Sequence, residues 1–171
     1  MEQKMKEDSA IGLDAQTNVE QFLTFMLAGE EYGVDILRVQ EIKGWDNATE
    51  IPNTPDYIQG VINLRGTIVP IVDLRSRFDL ERVEYSNTTV VIVLKVKSKG
   101  NEKTIGFVVD AVSDVYNITK EQLKPSPDFG GSVSTEFVKG LATVDEKMLI
   151  LLDIDHLIDT NINLGVSETK H

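Results

Sequence analysis

Residues 60–72 have the sequence GVINLRGTIVPIV, in which two apolar runs are joined by a very short polar connection. The pattern predicts a β-hairpin, with Gly66 supplying the positive φ that a tight turn requires. Arg65 is then expected at the tip of a rigid strand pair, either as an ordinary solvated turn residue or as a contact for a partner. Pro70 has no N–H to give to a neighbouring strand, which favours an edge position for the second run.

Most of the other apolar segments also have the length and pattern of strands. Apolar residues alternate with small or polar ones over residues 32–36 and again over 105–109, which is typical of half-buried strands. Further strands are expected over residues 22–27, 39–42, 88–97 and 148–152.

Only short helical segments are indicated, and one of them, a capped turn at residues 134–140, repeats the pattern at residues 54–60. Thr54-Pro55 has the form of an N-cap followed by proline at the first helical position, with room for a single turn before Gly60. Asp153 is expected to cap a C-terminal helix. The apolar positions of that helix are Ile154, Leu157, Ile158 and Ile162, which follow helical spacing.

The sequence contains an internal duplication. Residues 32–34 match residues 105–107 at an offset of 73, counted from Gly33 to Gly106. Later motifs match at an offset of 80, counted from Gly60 to Gly140, and the Pro- and Gly-rich segment 124–131 accommodates the difference. The halves differ at the second hairpin tip, where Asp145-Glu146 replaces Arg65-Gly66. The charge at the tip is therefore opposite in the two halves, which indicates either different partners for the two tips or sequence drift at exposed turns.

The duplication predicts an all-β fold of two similar halves. Each half holds about five short strands and little helix, which is typical of a small barrel. Two such barrels sharing one hydrophobic core satisfy the burial requirement that neither half meets well alone. We therefore expect a flexible tail over residues 1–18, one domain over 19–159 with barrels at about 22–82 and 87–159, and a C-terminal tail over 160–171.

The composition narrows the classes of function. The chain of 171 residues has no cysteine, which excludes disulfides, thiolate metal sites and cysteine nucleophiles. Its 28 acidic and 17 basic residues give a net charge of −11, which disfavours binding to nucleic acid or to anionic lipid. No apolar run approaches the roughly 20 residues of a membrane-spanning helix, and no signal peptide is indicated. A cytoplasmic protein without direct membrane contact, with proteins as partners, is the expectation.

Motifs for catalysis or cofactor binding are not found. His156 is flanked by three aspartates, but helix capping explains these acidic residues better than a metal site does. The sequence lacks a phosphate-binding loop, a dinucleotide fingerprint and EF-hand spacing. Strand residues such as Glu41 and Asp114 offer an acid and base pair for a hydrolase, which is the least favoured alternative. We expect no catalytic residue, no metal and no cofactor.

Apolar residues at equivalent positions of the two halves form the candidate interaction surface. Val39 and Ile42 correspond to Val112 and Val115. A duplicated fold brings such residues near its pseudo-symmetry axis, where a groove can receive an apolar helix. The alternative is that all four are ordinary core residues.

Several motifs, in the same order along the chain, resemble the CheW-type chemotaxis coupling proteins. The resemblance spans roughly Phe22 to Ile158. It rests on EYGVDI at 31–36, VQEI at 39–42, NLRG at 63–66, IVPIVD at 68–73, VSDV at 112–115 and KPSPDF at 124–129. It implies two SH3-like five-stranded barrels with a hydrophobic core between them. It also implies a non-catalytic adaptor that couples transmembrane chemoreceptors to the chemotaxis histidine kinase. The length leaves no room for a kinase or receiver domain, so a free-standing coupling protein is expected.

The resemblance also implies which residues bind partners. The receptor-binding residues would be Val39, Glu41, Arg65, Val112 and Val115, with Arg65 in charge contact with Glu41. Lys124 and Phe129 would contact the kinase regulatory domain or other coupling proteins of the receptor array. Lysine at position 124, where arginine is frequent in the family, keeps the charge but lacks the planar fork. The implied location is the cytoplasm, with recruitment to membrane-associated arrays. A small-barrel nucleic-acid-binding module is the alternative, which the net charge opposes.

Overall fold

The computed structural model describes residues 19–98, 100–125 and 137–159. The tails expected at 1–18 and 160–171 lie outside these ranges. The strands are β1 (Val19–Leu27), β2 (Glu30–Asp35), β3 (Val39–Gly44), β4 (Ile58–Leu64), β5 (Thr67–Asp73), β6 (Val90–Ser98), β7 (Asn101–Val109), β8 (Ala111–Thr119), β9 (Leu123–Lys124), β10 (Val138–Val144) and β11 (Lys147–Leu152). The helices are α1 (Leu74–Arg77) and α2 (Ile154–Asp159), and a 3-10 turn spans Ile36–Arg38.

The strands form two sheets, and each sheet takes strands from both halves of the sequence. Sheet A has the order β8-β1-β2-β11-β10-β9, and sheet B has the order β3-β6-β7-β5-β4. Strands of the two halves meet at four places. Pairing is parallel at two of them, β2 with β11 and β5 with β7, and antiparallel everywhere else in the two sheets, including β1 with β8 and β3 with β6. Each sheet curls into an SH3-like barrel, so the predicted all-β fold of two barrels is confirmed.

The predicted boundaries of the barrels, about 22–82 and 87–159, are wrong. The chain crosses from sheet A to sheet B at the turn Ile36–Arg38 and returns to sheet A at Asp110. As a result, β1 and β2 complete the barrel of the second half, while β6 and β7 complete that of the first. The two barrels are therefore built by strand exchange within one chain.

The hydrophobic core has three parts because most central strands are buried on both faces. A shared core between the barrels receives Phe25, Tyr32, Phe78, Phe107 and Phe137, among others. The interior of barrel A includes Phe22, Leu149 and Leu151, and that of barrel B includes Val69, Ile71 and Val93. Residues 31–34 and 105–109 are buried without interruption, so the prediction that these strands are half-buried is wrong. One face meets the shared core and the other lines a barrel.

The hairpin predicted at residues 60–72 is present, but its second strand is not at an edge. β5 lies between β7 and β4 in sheet B. Pro70 is tolerated because pairing with β7 begins one residue later, at Ile71 with Gly106. On the other side Val61, its partner in β4, donates its N–H to Thr49, which lies away from β5. No strand therefore requires an N–H from Pro70.

Barrel B closes where its two edge strands approach each other. Thr49, which follows β3, and Val61 on β4 exchange backbone hydrogen bonds of 2.8 and 2.9 Å. Gly60 lies at this seam with φ of 137°, and a Cβ atom there would collide with the Thr49 carbonyl. Gly140 occupies the corresponding place in barrel A, where a Cβ would lie 2.8 Å from the Lys124 carbonyl oxygen. Glycine is needed at both seams for this close approach.

The helical segments predicted after Thr54 and after Asp153 have different outcomes. Residues 54–57 form a turn rather than a helix: the Ile58 N–H donates to the Pro55 carbonyl at 2.9 Å, and the Thr54 hydroxyl donates to the Ile51 carbonyl at 3.0 Å. Because β4 begins at Ile58, the segment has no room for a longer helical stretch. Asp153 does precede α2, and its Oδ1 accepts the His156 N–H at 3.3 Å. The structure describes that helix as far as Asp159, and Ile162 lies outside the described residues.

Two ion-pair clamps fasten the helices to the points where the chain crosses between sheets. Arg38, at the first crossing, donates two hydrogen bonds of 2.8 and 2.7 Å to Asp155 in α2. Asp110, at the second crossing, accepts two of 2.9 and 2.7 Å from Arg75 in α1 and one of 2.9 Å from the Ala28 N–H. The clamps take corresponding places in the two halves with the charges reversed. They hold each helix against the junction of the two sheets.

Candidate functional site

The edge strands β3 and β8 carry the apolar residues expected at a groove. Val39 and Val112 are half-buried and pack against the shared core, one from each sheet. Ile42 and Val115, three residues further along each strand, are 41% and 44% exposed. The shared core therefore continues outward along both edge strands as an apolar border that solvent reaches.

Arg65 stands at the tip of the β4–β5 hairpin beside this border. Arg65 and Gly66 have φ of 54° and 88°, as the primed turns of tight hairpins require, and the Gly66 N–H donates to Asn63 Oδ1 at 2.8 Å. Arg65 Nη1 donates to Glu41 Oε1 on β3 at 2.5 Å, the charge contact implied by the resemblance. The Arg65 side chain is 76% exposed. Such an exposed pair stabilises the fold by at most about 1 kcal/mol, so its main effect is to orient the guanidinium.

Barrel A presents acidic residues at the corresponding positions. Asp145 and Glu146 form the β10–β11 turn with φ of 52° and 66°, and both are exposed. Asp114 takes on β8 the place that Glu41 has on β3, and its carboxylate accepts the Val115 N–H at 2.8 Å. The two hairpin tips thus share a backbone geometry and present opposite charges.

Lys124 and Phe129, the two residues expected to contact the kinase or other coupling proteins, belong to neither β3 nor β8 and follow both strands in the sequence. Lys124 is exposed on β9, which among the described residues pairs with β10 at residues 141 and 142. Its backbone forms the seam of barrel A beside Gly140. Phe129 lies outside the described residues.

Sequence reasoning missed two polar residues directly behind β8. Thr24 is fully buried, and its hydroxyl lies within hydrogen-bonding distance of Glu31 and of the Asp114 backbone. The interruption of the apolar run 22–27 by threonine is the one signal in the sequence that points to this contact.

The candidate acid and base pair does not form. Glu41 and Asp114 lie on edge strands of different sheets, and their carboxylates contact Arg65 and the Val115 N–H respectively. Within the described ranges, no group of three or more histidine or carboxylate side chains is arranged to hold a metal ion. His156 Nδ1 lies 3.7 Å from Asp153 Oδ2. In the part of the chain that the structure describes, no helix is long and apolar enough to cross a membrane.

The fold defines a class of small β-scaffold, in which two SH3-like barrels exchange strands and share one core. The family model for the CheW-like domain matches residues 21–161. The chain belongs to the CheW-like domain family.

Similar proteins support this membership over nearly the whole described chain. The chain is 50% identical over 148 residues to a chemotaxis protein CheW of Klebsiella aerogenes, covering 86% of this chain and 87% of that protein. It is 35% identical over 137 residues to a probable chemotaxis protein CheW of Rhizobium etli, covering 80% and 86%. The crystal structure of the scaffolding protein TtCheW from Thermoanaerobacter tengcongensis superposes with a TM-score of 0.73 at 36% identity, covering 83% of this chain and 89% of that one.

Proposed function

We propose that this protein is a non-catalytic adaptor of bacterial chemotaxis, which couples transmembrane chemoreceptors to the chemotaxis histidine kinase. The observation that carries the proposal is the 50% identity, across both barrels, to a protein named for chemotaxis. The two partners come from the family resemblance. In this role the protein works in the cytoplasm and is recruited to receptor arrays at the membrane.

The receptor tip docks on the border formed by β3 and β8. That tip is a helical hairpin in the family, and helix-in-groove docking needs an apolar strip flanked by a few charges. Val39, Val112 and Val115 supply the apolar contact, because they are half-buried or exposed at the rim of the shared core. Glu41 and Arg65 set the orientation of the receptor helices through their ion pair.

The kinase regulatory domain and neighbouring coupling proteins contact Lys124 of barrel A and Phe129, a residue outside the described ranges. An adaptor biases a kinase between states only through different affinities for those states. The shared core and the two clamps make the barrels one stiff body, which supports transmission of a receptor-induced displacement to the kinase.

Co-sedimentation tests the proposal directly. Receptor cytoplasmic fragments are displayed on vesicles, and this protein and the kinase are added singly and together. We expect the protein to sediment with the receptor and to bring the kinase with it. A folded protein that binds neither partner would contradict the proposal, and salt-dependent nucleic-acid binding in a gel shift would favour a different function.

A further inference from the structure

Thr24 is a buried polar residue that the proposed docking surface does not use. It lies in β1, and 0% of its surface is exposed. The pairing of β1 with β8 shifts at this point, because Leu23 pairs with Val115 whereas Phe25 pairs with Val112. Two residues of β8 therefore oppose Thr24 alone, which is the arrangement of a β-bulge.

The hydroxyl of Thr24 takes over hydrogen bonds that the bulge interrupts. The Asp114 N–H donates to Thr24 Oγ1 at 3.0 Å, and the Asp114 carbonyl oxygen also lies 3.0 Å from that atom. Glu31, buried on β2, places Oε2 at 2.8 Å from the same hydroxyl. A hydroxyl has one proton to donate, and the shorter contact to a carboxylate favours Glu31 as its acceptor. Glu31 thereby turns a lone pair of Thr24 toward the Asp114 N–H.

This junction lies directly behind the residues that we propose to bind the receptor. Because β8 is an edge strand, β1 is its lateral neighbour in sheet A. Val112 and Val115 flank the bulge, one on each side. Their spacing and direction therefore depend on the shape of the bulge that Thr24 holds.

The corresponding bulge of barrel B lacks such a hydroxyl. There the pairing of β3 with β6 shifts between Val39, which pairs with Leu94, and Glu41, which pairs with Val93. Val93 precedes Leu94 on β6 in the same way that Thr24 precedes Phe25 on β1, so the two residues occupy corresponding positions. Val93 is fully buried. A valine is therefore compatible with the shape of this position, and replacement of Thr24 by valine isolates the effect of the hydroxyl.

We infer that Thr24 is a positioning residue for the docking surface: its hydroxyl, oriented by Glu31, fixes the bulge of β8 and hence the spacing of Val112 and Val115. The inference rests on the proposed function and adds to it the element that shapes the receptor-binding edge.

Two variants of the full chain test the inference. Thr24→Val removes the hydroxyl and keeps the shape of the side chain, whereas Thr24→Ser keeps the hydroxyl. Amide hydrogen exchange at Asp114 is followed by NMR, and the affinity for a helical hairpin from a receptor tip is measured by calorimetry. We expect Thr24→Val to raise the amide exchange rate at Asp114 about tenfold, as the loss of one hydrogen bond allows. We also expect it to weaken the affinity for the receptor hairpin about tenfold. Thr24→Ser should restore both.

The outcomes separate the inference from the proposed function. Equal affinities of wild type and Thr24→Val would overturn the inference, as would an equal loss in Thr24→Ser, which would indicate packing rather than hydrogen bonding. If the wild type binds no receptor hairpin, the proposed function fails. The exchange rate at Asp114 is then the measurement that tests the role of Thr24 in the bulge. Faster exchange at Asp114 in Thr24→Val, reversed in Thr24→Ser, would then support the positioning of the bulge, and unchanged exchange would overturn it.

Discussion

Arg65 combines a left-handed backbone with a side chain that reaches across the seam of barrel B to Glu41. Replacement Arg65→Glu places two carboxylates at this contact. Since the site is exposed, we expect the free energy of unfolding to change by about 1 kcal/mol or less in a urea titration. Receptor-dependent control of the kinase in a reconstituted assay should be strongly reduced, because the orienting charge is reversed.

A matched control for Arg65→Glu is Arg82→Glu. Arg82 is exposed and lines a shallow cavity with residues of the segment before β4 and with Ile58 and Gln59, at the end of β4 remote from the tip. The same change of charge there should leave kinase control intact. Equal effects of the two variants would show that net charge, rather than the hairpin tip, matters.

Gly60 and Gly66 are both left-handed, yet they should respond differently to alanine. At Gly66 a Cβ meets no atom within 4 Å, so Gly66→Ala costs only the backbone preference, about 1–2 kcal/mol. At Gly60 a Cβ collides with the Thr49 carbonyl at the barrel seam. We expect Gly60→Ala to lower the free energy of unfolding by more than about 3 kcal/mol. Equal losses in urea denaturation would contradict the closure described for barrel B.

At the scale of single residues, the sequence predicts the role of a residue when that role depends on its neighbours in the chain. The positive φ of Gly66 follows from its place between two strands, and the exposure of Arg65 follows from the turn. Thr24 could not be predicted in the same way, since its partner Asp114 is 90 residues away in sequence. Only the three-dimensional pairing of β1 with β8 brings the two residues together.

The two clamps between helices and sheet crossings are the elements whose stability depends on pH. Hydrogen bonds from Arg38 hold the pKa of Asp155 below its ordinary value of 3.8, against the effect of burial. Burial raises the pKa of Asp110, but the bonds from Arg75 and the Ala28 N–H outweigh it, so this pKa is also lowered from 3.8. A depressed folded-state pKa gives stability that is complete above the unfolded value and is lost as the pH falls through the folded value.

We therefore expect the free energy of unfolding to fall between about pH 5 and about pH 3. Asp110→Asn and Asp155→Asn should each lower it by about 1–3 kcal/mol at pH 7, because bonds to charged groups are lost. Each variant should also lose less stability on acidification than the wild type does. Parallel stability profiles in urea titrations from pH 7 to pH 3 would argue against the clamps.

At the scale of elements, the sequence patterns predicted the positions of the strands better than their burial. The alternation at residues 32–36 indicates a strand with one polar face, yet Gly33 lies against the Leu151 side chain and Glu31 is buried. Pro70 indicates an edge, but offset pairing lets an interior strand accept it. Both departures depend on neighbouring strands contributed by the other half of the chain.

For the whole molecule, strand exchange predicts that neither half folds alone. A fragment 19–86 lacks β6 and β7, which lie between β3 and β5 in barrel B, and a fragment 87–159 lacks β1 and β2 of barrel A. We expect each fragment alone to show no dispersed NMR spectrum, and an equimolar mixture to recover a folded one, since all pairings then become available. A folded spectrum from either fragment alone would contradict the exchanged topology.

The duplication in the sequence predicts two similar barrels but does not predict this exchange. The same strands, lengths and apolar faces suit a chain in which each half pairs with itself. The choice depends on the crossings at Ile36–Arg38 and Asp110, which direct β3 and β8 to opposite sheets. The common core was predictable, whereas the origin of the strands around it was not, and the docking role of the residues on β3 and β8 stays a prediction.

NMR mapping of a bound receptor hairpin tests most directly whether β3 and β8 form the docking edge. The labelled full chain is titrated with the cytoplasmic tip fragment of a chemoreceptor. We predict the largest shift changes at Val39, Glu41, Arg65, Val112 and Val115, with little change in β7. Perturbations confined to other surfaces, or no binding by the folded protein, would contradict the account.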